Sequence, residues 1–130
     1  MAYITSMPPT AYNRTISTIR DYPRLVYELD QLKRDAGNLK ATNHDGLPKG
    51  SKSSGIDAKI AYMVDLEKEV QKMQALFDTI PEEFQEGILN NIIYRVGFPH
   101  VPSRSTWYRE KNKFVLRFAK EMRIYGKYSK

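Results

Sequence analysis

Apolar positions recur along the chain at helical spacing, in stripes separated by turn-forming stretches. Leu25, Leu29, Leu32 and Ala36 step by three and four, the interval that places side chains on one helical face. Asp21 and Pro23 suit a first turn and Gly37 suits a stop, which predicts a helix over about 21–36. A longer stripe runs through Ile56, Ile60, Met63, Leu66, Val70, Met73, Phe77 and Ile80. It predicts a helix over about 56–79 whose near-heptad spacing calls for one long partner. Folding the shorter helix against it gives a long antiparallel hairpin across 19–80. The connecting loop, 37–55, is rich in glycine and serine. Because the second helix outruns the first, part of its seam stays open, and a second copy of the chain is expected to cover it as a homodimer.

Beyond the hairpin, Thr79-Ile80-Pro81-Glu82 has the form of a capping box. The helix it opens would bury Phe84, Ile88, Leu89, Ile92 and Val96 and stop at Gly97. Phe98-Pro99-His100-Val101-Pro102 then makes a tight turn into a last helix that Ser103 can cap. That helix carries Trp107, Phe114, Phe118, Met122 and Tyr125 on one stripe. Thr106, Arg109, Lys113, Arg117 and Lys120 lie roughly opposite, at about 100° per residue. Residues 81–130 are therefore expected to form a basic, helix-turn-helix-like unit. Residues 1–18 hold Pro8, Pro9 and scattered hydroxyls without a period, and are expected to be a flexible arm. The expected class is all-α.

Charge sharpens this picture. The net charge of the 130 residues is +6, but ten Lys/Arg face only Glu110 and Glu121 between Arg95 and Lys130, a local +8. The first 94 residues hold eleven Lys/Arg against thirteen acids, or −2. A basic patch on an otherwise balanced chain points to a polyanionic partner, double-stranded DNA first. An acidic protein surface attracts the same cations, so an inhibitor or adaptor is the rival class, and a DNA-binding phage packaging or replication accessory protein is another. With no apolar run long enough for a bilayer, no leader-like start and no cysteine, a cytoplasmic protein without membrane contact is expected.

Chemistry of other kinds finds little footing. His44 and His100 have no partner at metal-ligand spacing, so no metal is expected. Asp45-Gly46-Leu47-Pro48-Lys49-Gly50-Ser51 lacks the spacing of a phosphate-binding loop. No cofactor and no enzymatic activity are expected. In a DNA contact, Arg104 and Arg109 can pair with guanine or clamp phosphate, while Ser105, Thr106 and Asn112 can donate to either. Lys113, Arg117 and Lys120 suit the phosphate backbone, and Lys111 completes the set. Trp107 and Tyr108 could stack on unpaired bases, although the stripe it shares with Phe114 and Phe118 places Trp107 in the core.

The order of Asp21-Tyr22-Pro23-Arg24-Leu25, Asp45-Gly46-Leu47-Pro48-Lys49-Gly50-Ser51, a heptad helix, Ile80-Pro81-Glu82-Glu83 and Ser103-Arg104-Ser105-Thr106-Trp107-Tyr108-Arg109 resembles the small phage-encoded transcription regulators of the RinA/ArpU type. The likeness covers roughly residues 18–125, with the serine-arginine-serine segment its most specific part. It implies a DNA-binding domain similar to region 4 of sigma factors. It also implies base and phosphate contacts from Ser103, Arg104, Ser105, Thr106, Tyr108 and Arg109, with dimerisation or contact with RNA polymerase left to the hairpin. Sigma-like domains carry a short extra helix before the recognition helix. Here only residues 95–102, two of them prolines, separate the two, and the turn is compressed.

Overall fold

A proline at the first helical position has a preset φ and lacks only a donor that would be orphaned anyway. Pro9 holds that position in α1 (Pro9–Arg20), after Pro8 in an extended conformation. In the computed structural model, which describes residues 7–42 and 51–126 and the side chains of 7–37 and 57–126, most of the expected flexible arm is thus helix. Met1–Ser6 lie outside the described residues. Thr15, Ile16 and Ile19 are buried on one side of α1. Thr15 is fully enclosed because its hydroxyl donates to the Ala11 carbonyl at 2.8 Å, so no polar group is left unpaired. A buried face built partly from a self-satisfied hydroxyl has no apolar period, which is why the sequence reads as an arm.

Asp21 alone separates α1 from α2 (Tyr22–Thr42), since Pro23 cannot donate to the helical ladder. Leu25 and Leu29 are buried and Leu32 and Ala36 half-buried, as their spacing predicts. Gly37 does not end the helix. It sits exposed inside α2 with nothing within 4 Å of where a Cβ would lie, and the ordinary helix formers after it carry the chain on to Thr42. At the other side, α3 (Ser51–Phe77) starts before the expected position 56 and ends two residues before 79. Of the expected loop 37–55, residues 37–42 and 51–55 are helix, and 43–50 lie outside the described residues. Along α3, Leu66, Val70, Met73, Leu76 and Phe77 are buried. Ile60, although on the predicted stripe, is 42% exposed.

The chain divides into two units, with boundaries that differ from the expected 19–80 and 81–130. One is Tyr22–Lys72, comprising α2 and most of α3. Among the described residues, Tyr62 Oη of α3 donates to Glu28 Oε2 of α2 at 2.7 Å, and Lys33 Nζ of α2 to Glu67 Oε2 of α3 at 2.9 Å. The other unit combines Met1–Asp21 with Met73–Lys130. It holds α1, the end of α3, α4 (Glu82–Tyr94) and α5 (Arg104–Glu121), with α1 packed on both α4 and α5 and these packed on each other. The segment formed by α4, the turn and α5 thus does not stand alone; its core includes Ile16 and Ile19 of α1 and Met73, Leu76 and Phe77 of α3. Among the described residues the protein is all-α, and no helix is long and apolar enough to cross a membrane.

Candidate nucleic-acid interface

α4 starts without a side-chain cap. Pro81 holds the capping position, while Thr79, the expected cap, donates its hydroxyl to the Leu76 carbonyl at 2.6 Å and so belongs to the end of α3. Ile88 and Ile92 form the buried side of α4. The helix stops at Tyr94, three residues before the expected Gly97. Arg95 turns into the left-handed region at φ 59°, and the Val96 N–H reaches back to the Asn90 carbonyl at 3.2 Å. The Arg95 N–H reaches the same Asn90 carbonyl, so one carbonyl takes two donors and the helix end closes here without glycine. The Asn91 side-chain amide donates to the Val96 carbonyl at 2.8 Å and holds the turn. Val96, expected in the core, is 51% exposed because it lies past the helix end.

Ser103 caps α5, accepting from the Thr106 N–H at 3.4 Å, and its hydroxyl lies 3.1 Å from those of both Ser105 and Thr106. Trp107, Phe114, Val115, Phe118 and Ala119 make up the buried side. Phe114 and Phe118 pack against Phe77, at ring-centroid distances of 6.0 and 6.2 Å. Trp107 stacks on Phe98 at 5.2 Å and meets the Phe84 ring edge-on at 5.0 Å. Its Nε1–H has no hydrogen-bond partner among the described residues. The apolar area such a ring buries outweighs one unpaired weak donor. Met122 and Tyr125, predicted on the helical stripe, lie beyond Glu121, where the chain turns through Arg123 at φ 59°.

Opposite the buried rings, Arg109, Lys113, Arg117 and Lys120 are all exposed, stepping by four, four and three along one face. Thr106 is half-buried at the start of this band. Two of the cations have internal engagements: Lys113 Nζ lies 3.4 Å from Glu110 Oε2, and Arg117 donates to Thr79 Oγ1 at 2.9 Å. Both bonds are solvent-exposed and weak enough to exchange for a phosphate. Ser103, Arg104 and Ser105 are exposed at the amino-terminal end.

Three expected contact residues depart from the band. Asn112 is half-buried at its edge. Tyr108 and Lys111 turn the other way, toward α4. Lys111 donates to Asn91 Oδ1 at 2.7 Å and lies over the Phe98 and Tyr108 rings at 5.9 and 5.7 Å. Burial lowers its pKa from the ordinary 10.5, and the charge of Arg20 lowers it further. Arg20 is itself fixed by donating to the Ile92 carbonyl at 2.7 Å. Beside them, burial raises the Tyr12 pKa above 10.0, with Tyr108 adding to the shift and Arg20 opposing it. Arg20, Tyr12, Asn91 and Phe98 carried no signal of their own in the sequence, since contacts between α1, α4 and the turn bring them together. Gly87 was the readable exception: a glycine amid the apolar residues of a helix implies a close neighbour.

Phe98, Tyr108, Asn91, Gly97, Pro99, His100 and Arg104 line a hollow of about 450 Å³ between the turn and the first turns of α5. Among the described residues no cluster of three or more His, Asp or Glu could hold a metal ion. Compared with protein-family models, with curated proteins and with solved structures, the chain matches none.

Proposed function

We propose that the chain binds double-stranded DNA through the cationic face of α5 and acts in the cytoplasm as a transcription regulator of the RinA/ArpU type. The observation that carries the reading is the exposed band of Arg109, Lys113, Arg117 and Lys120 directly behind a fully buried row of rings. A helix anchored by its rings on one side and cationic on the other is the element that a helix-turn-helix protein lays in the major groove. Thr106 and Arg109, near the amino-terminal end, would meet base edges, and Lys113, Arg117 and Lys120 the phosphates. The compressed turn between α4 and α5 supports this assignment in one respect. It holds the start of α5 and the serine-rich cap in the open, where a sugar-phosphate chain can approach.

The Tyr22–Lys72 unit would then serve assembly, as a homodimer or against RNA polymerase. Ile60 and Val64, about 40% exposed on successive turns of α3, support an added partner there. The reading assigns no catalytic step and no cofactor. The test is binding to a random duplex across a salt series. Micromolar affinity at low salt with a steep salt slope supports the reading. No binding at micromolar protein would leave the acidic protein surface as the partner for this band. A consensus recovered from a random duplex pool would separate a site-specific regulator from a packaging or replication accessory protein.

A further inference from the structure

The hollow beside the amino-terminal end of α5 takes no part in the proposed duplex contact. Arg104 and Tyr108 lie some 100° or more around the helix from the nearest cation of the band. We propose that this hollow is a binding site for a nucleotide unit, with the phosphate taken by Arg104 and the base laid against Tyr108.

Its size, about 450 Å³, falls among those of small-molecule sites. Arg104 is the one charged group of the lining, standing among His100, Phe98, Tyr108, Pro99, Gly97 and Asn91, and no acid lines it. A cationic ligand finds nothing to pair with there, whereas a planar anion finds both a cation and rings. Arg104 is exposed and has no ion pair among the described residues, so a ligand displaces nothing to reach it.

The walls are also built to stay open. Phe98 is held flat on Trp107 and meets the Tyr108 ring edge-on at 5.1 Å. Asn91 uses both ends of its amide internally, donating to Val96 and accepting from Lys111. Lys111 spans Asn91, Phe98 and Tyr108 from behind. Its ammonium is crowded by the like charge of Arg20, and no carboxylate pairs with either among the described residues. Two half-buried cations held together behind an open aromatic hollow leave a local positive potential that an anion would relieve. Rings recognise a base by its π-face without regard to sequence, so the site reads nucleotides as a class. The nucleotide is either free or an unpaired residue of a strand, and both offer the same phosphate and base.

The full-length chain, labelled for amide NMR, would be titrated with deoxyadenosine monophosphate, deoxyadenosine, inorganic phosphate and a short oligothymidylate. The expected result is saturating shifts at Gly97, Phe98, His100 and Arg104 with a dissociation constant of about 1 mM for the monophosphate. Arg104→Gln should weaken it about tenfold, while Arg109→Gln/Lys113→Gln, which alters only the band, should leave it unchanged. An oligothymidylate bound more than about tenfold tighter than the monophosphate names a strand as the source; equal affinity names the free nucleotide. Absence of shifts in the hollow to about 10 mM monophosphate would overturn the proposal. So would equal binding of phosphate alone, or an Arg104→Gln variant that binds as the parent does. Because the readout uses no duplex, it stands apart from the duplex experiment, and either can fail without the other.

Discussion

The six-membered ring of Trp107 occupies the space that a β-carbon on residue 87 would need: Cη2 and Cζ3 each lie 2.6 Å from where that atom would be. Gly87 is therefore a contact surface and not a flaw in α4, and it lets α4 approach the helix that bears the cation band. Gly87→Ala should destabilise the unit by about 1–2 kcal/mol, since overpacking by a rigid ring outweighs the gain of about 1 kcal/mol in helix propensity. Urea unfolding followed by Trp107 fluorescence reads the change directly. Gly37→Ala is the control, because nothing stands near Gly37. There the propensity term acts alone, and stability should rise by up to about 1 kcal/mol.

Arg95 holds a left-handed conformation that costs a side-chain-bearing residue about 1–2 kcal/mol relative to glycine. Arg95→Gly should therefore stabilise the chain, by about 0.5–1 kcal/mol once the added freedom of the unfolded state is subtracted. Gly97→Ala at the expected stop has no left-handed strain and no neighbour within 4 Å, and should be neutral to slightly stabilising. If the two substitutions exchanged these effects, the helix end would lie at 97 after all.

How much of this was legible in the sequence follows from what kind of interaction shaped each part. Apolar period found the buried sides of α2, α3, α4 and α5, because burying a stripe is what makes those helices form. It failed at α1, where Thr15 hides a hydroxyl by bonding Ala11 and so breaks the pattern that betrays a buried face. It also failed at both helix ends assigned to glycine. Gly37 is passed through because residues compatible with a helix follow it, and Arg95 pre-empts Gly97 by taking the left-handed turn two residues earlier. The opposition of cations and rings on α5 was legible because both lie on one element. That Lys111 and Tyr108 leave the band was not, for it depends on Asn91, Phe98 and Arg20, brought in from α4, the turn and α1.

The cluster of Arg20, Tyr12 and Lys111 makes two opposite predictions at alkaline pH. The lowered pKa of Lys111 means that the unfolded chain binds its proton more readily, so that below the folded value the full penalty of burying the charge is present. As pH rises toward 10.5 that penalty is lifted and stability gains. Tyr12 acts in the other sense: its raised pKa lets the unfolded state ionise first, so stability falls as pH climbs past 10.0. Lys111→Met should flatten the rise, and Tyr12→Phe the fall, in unfolding free energies measured across this range. A Lys111→Met profile parallel to that of the parent would mean that the ammonium is solvated and the cluster open.

The cation band yields the prediction that bears most on function, because its members differ in what else they do. Arg109 and Lys120 have no ion pair among the described residues, whereas Arg117 also bonds Thr79 at the end of α3. Arg109→Gln and Lys120→Gln should therefore leave stability within about 0.5 kcal/mol of the parent, since surface substitutions away from specific contacts do little. Each should also reduce the dependence of log affinity on log salt by about 0.9 if it removes one phosphate contact on duplex DNA. Arg117→Gln should lose the same increment of salt dependence and about 0.5–1.5 kcal/mol of stability besides, the worth of one hydrogen bond. Glu110→Gln tests the same surface from the opposite direction. It releases Lys113 from its partner at 3.4 Å and should strengthen duplex binding. Salt slopes unaltered in all four folded variants would remove this face of α5 from the interface.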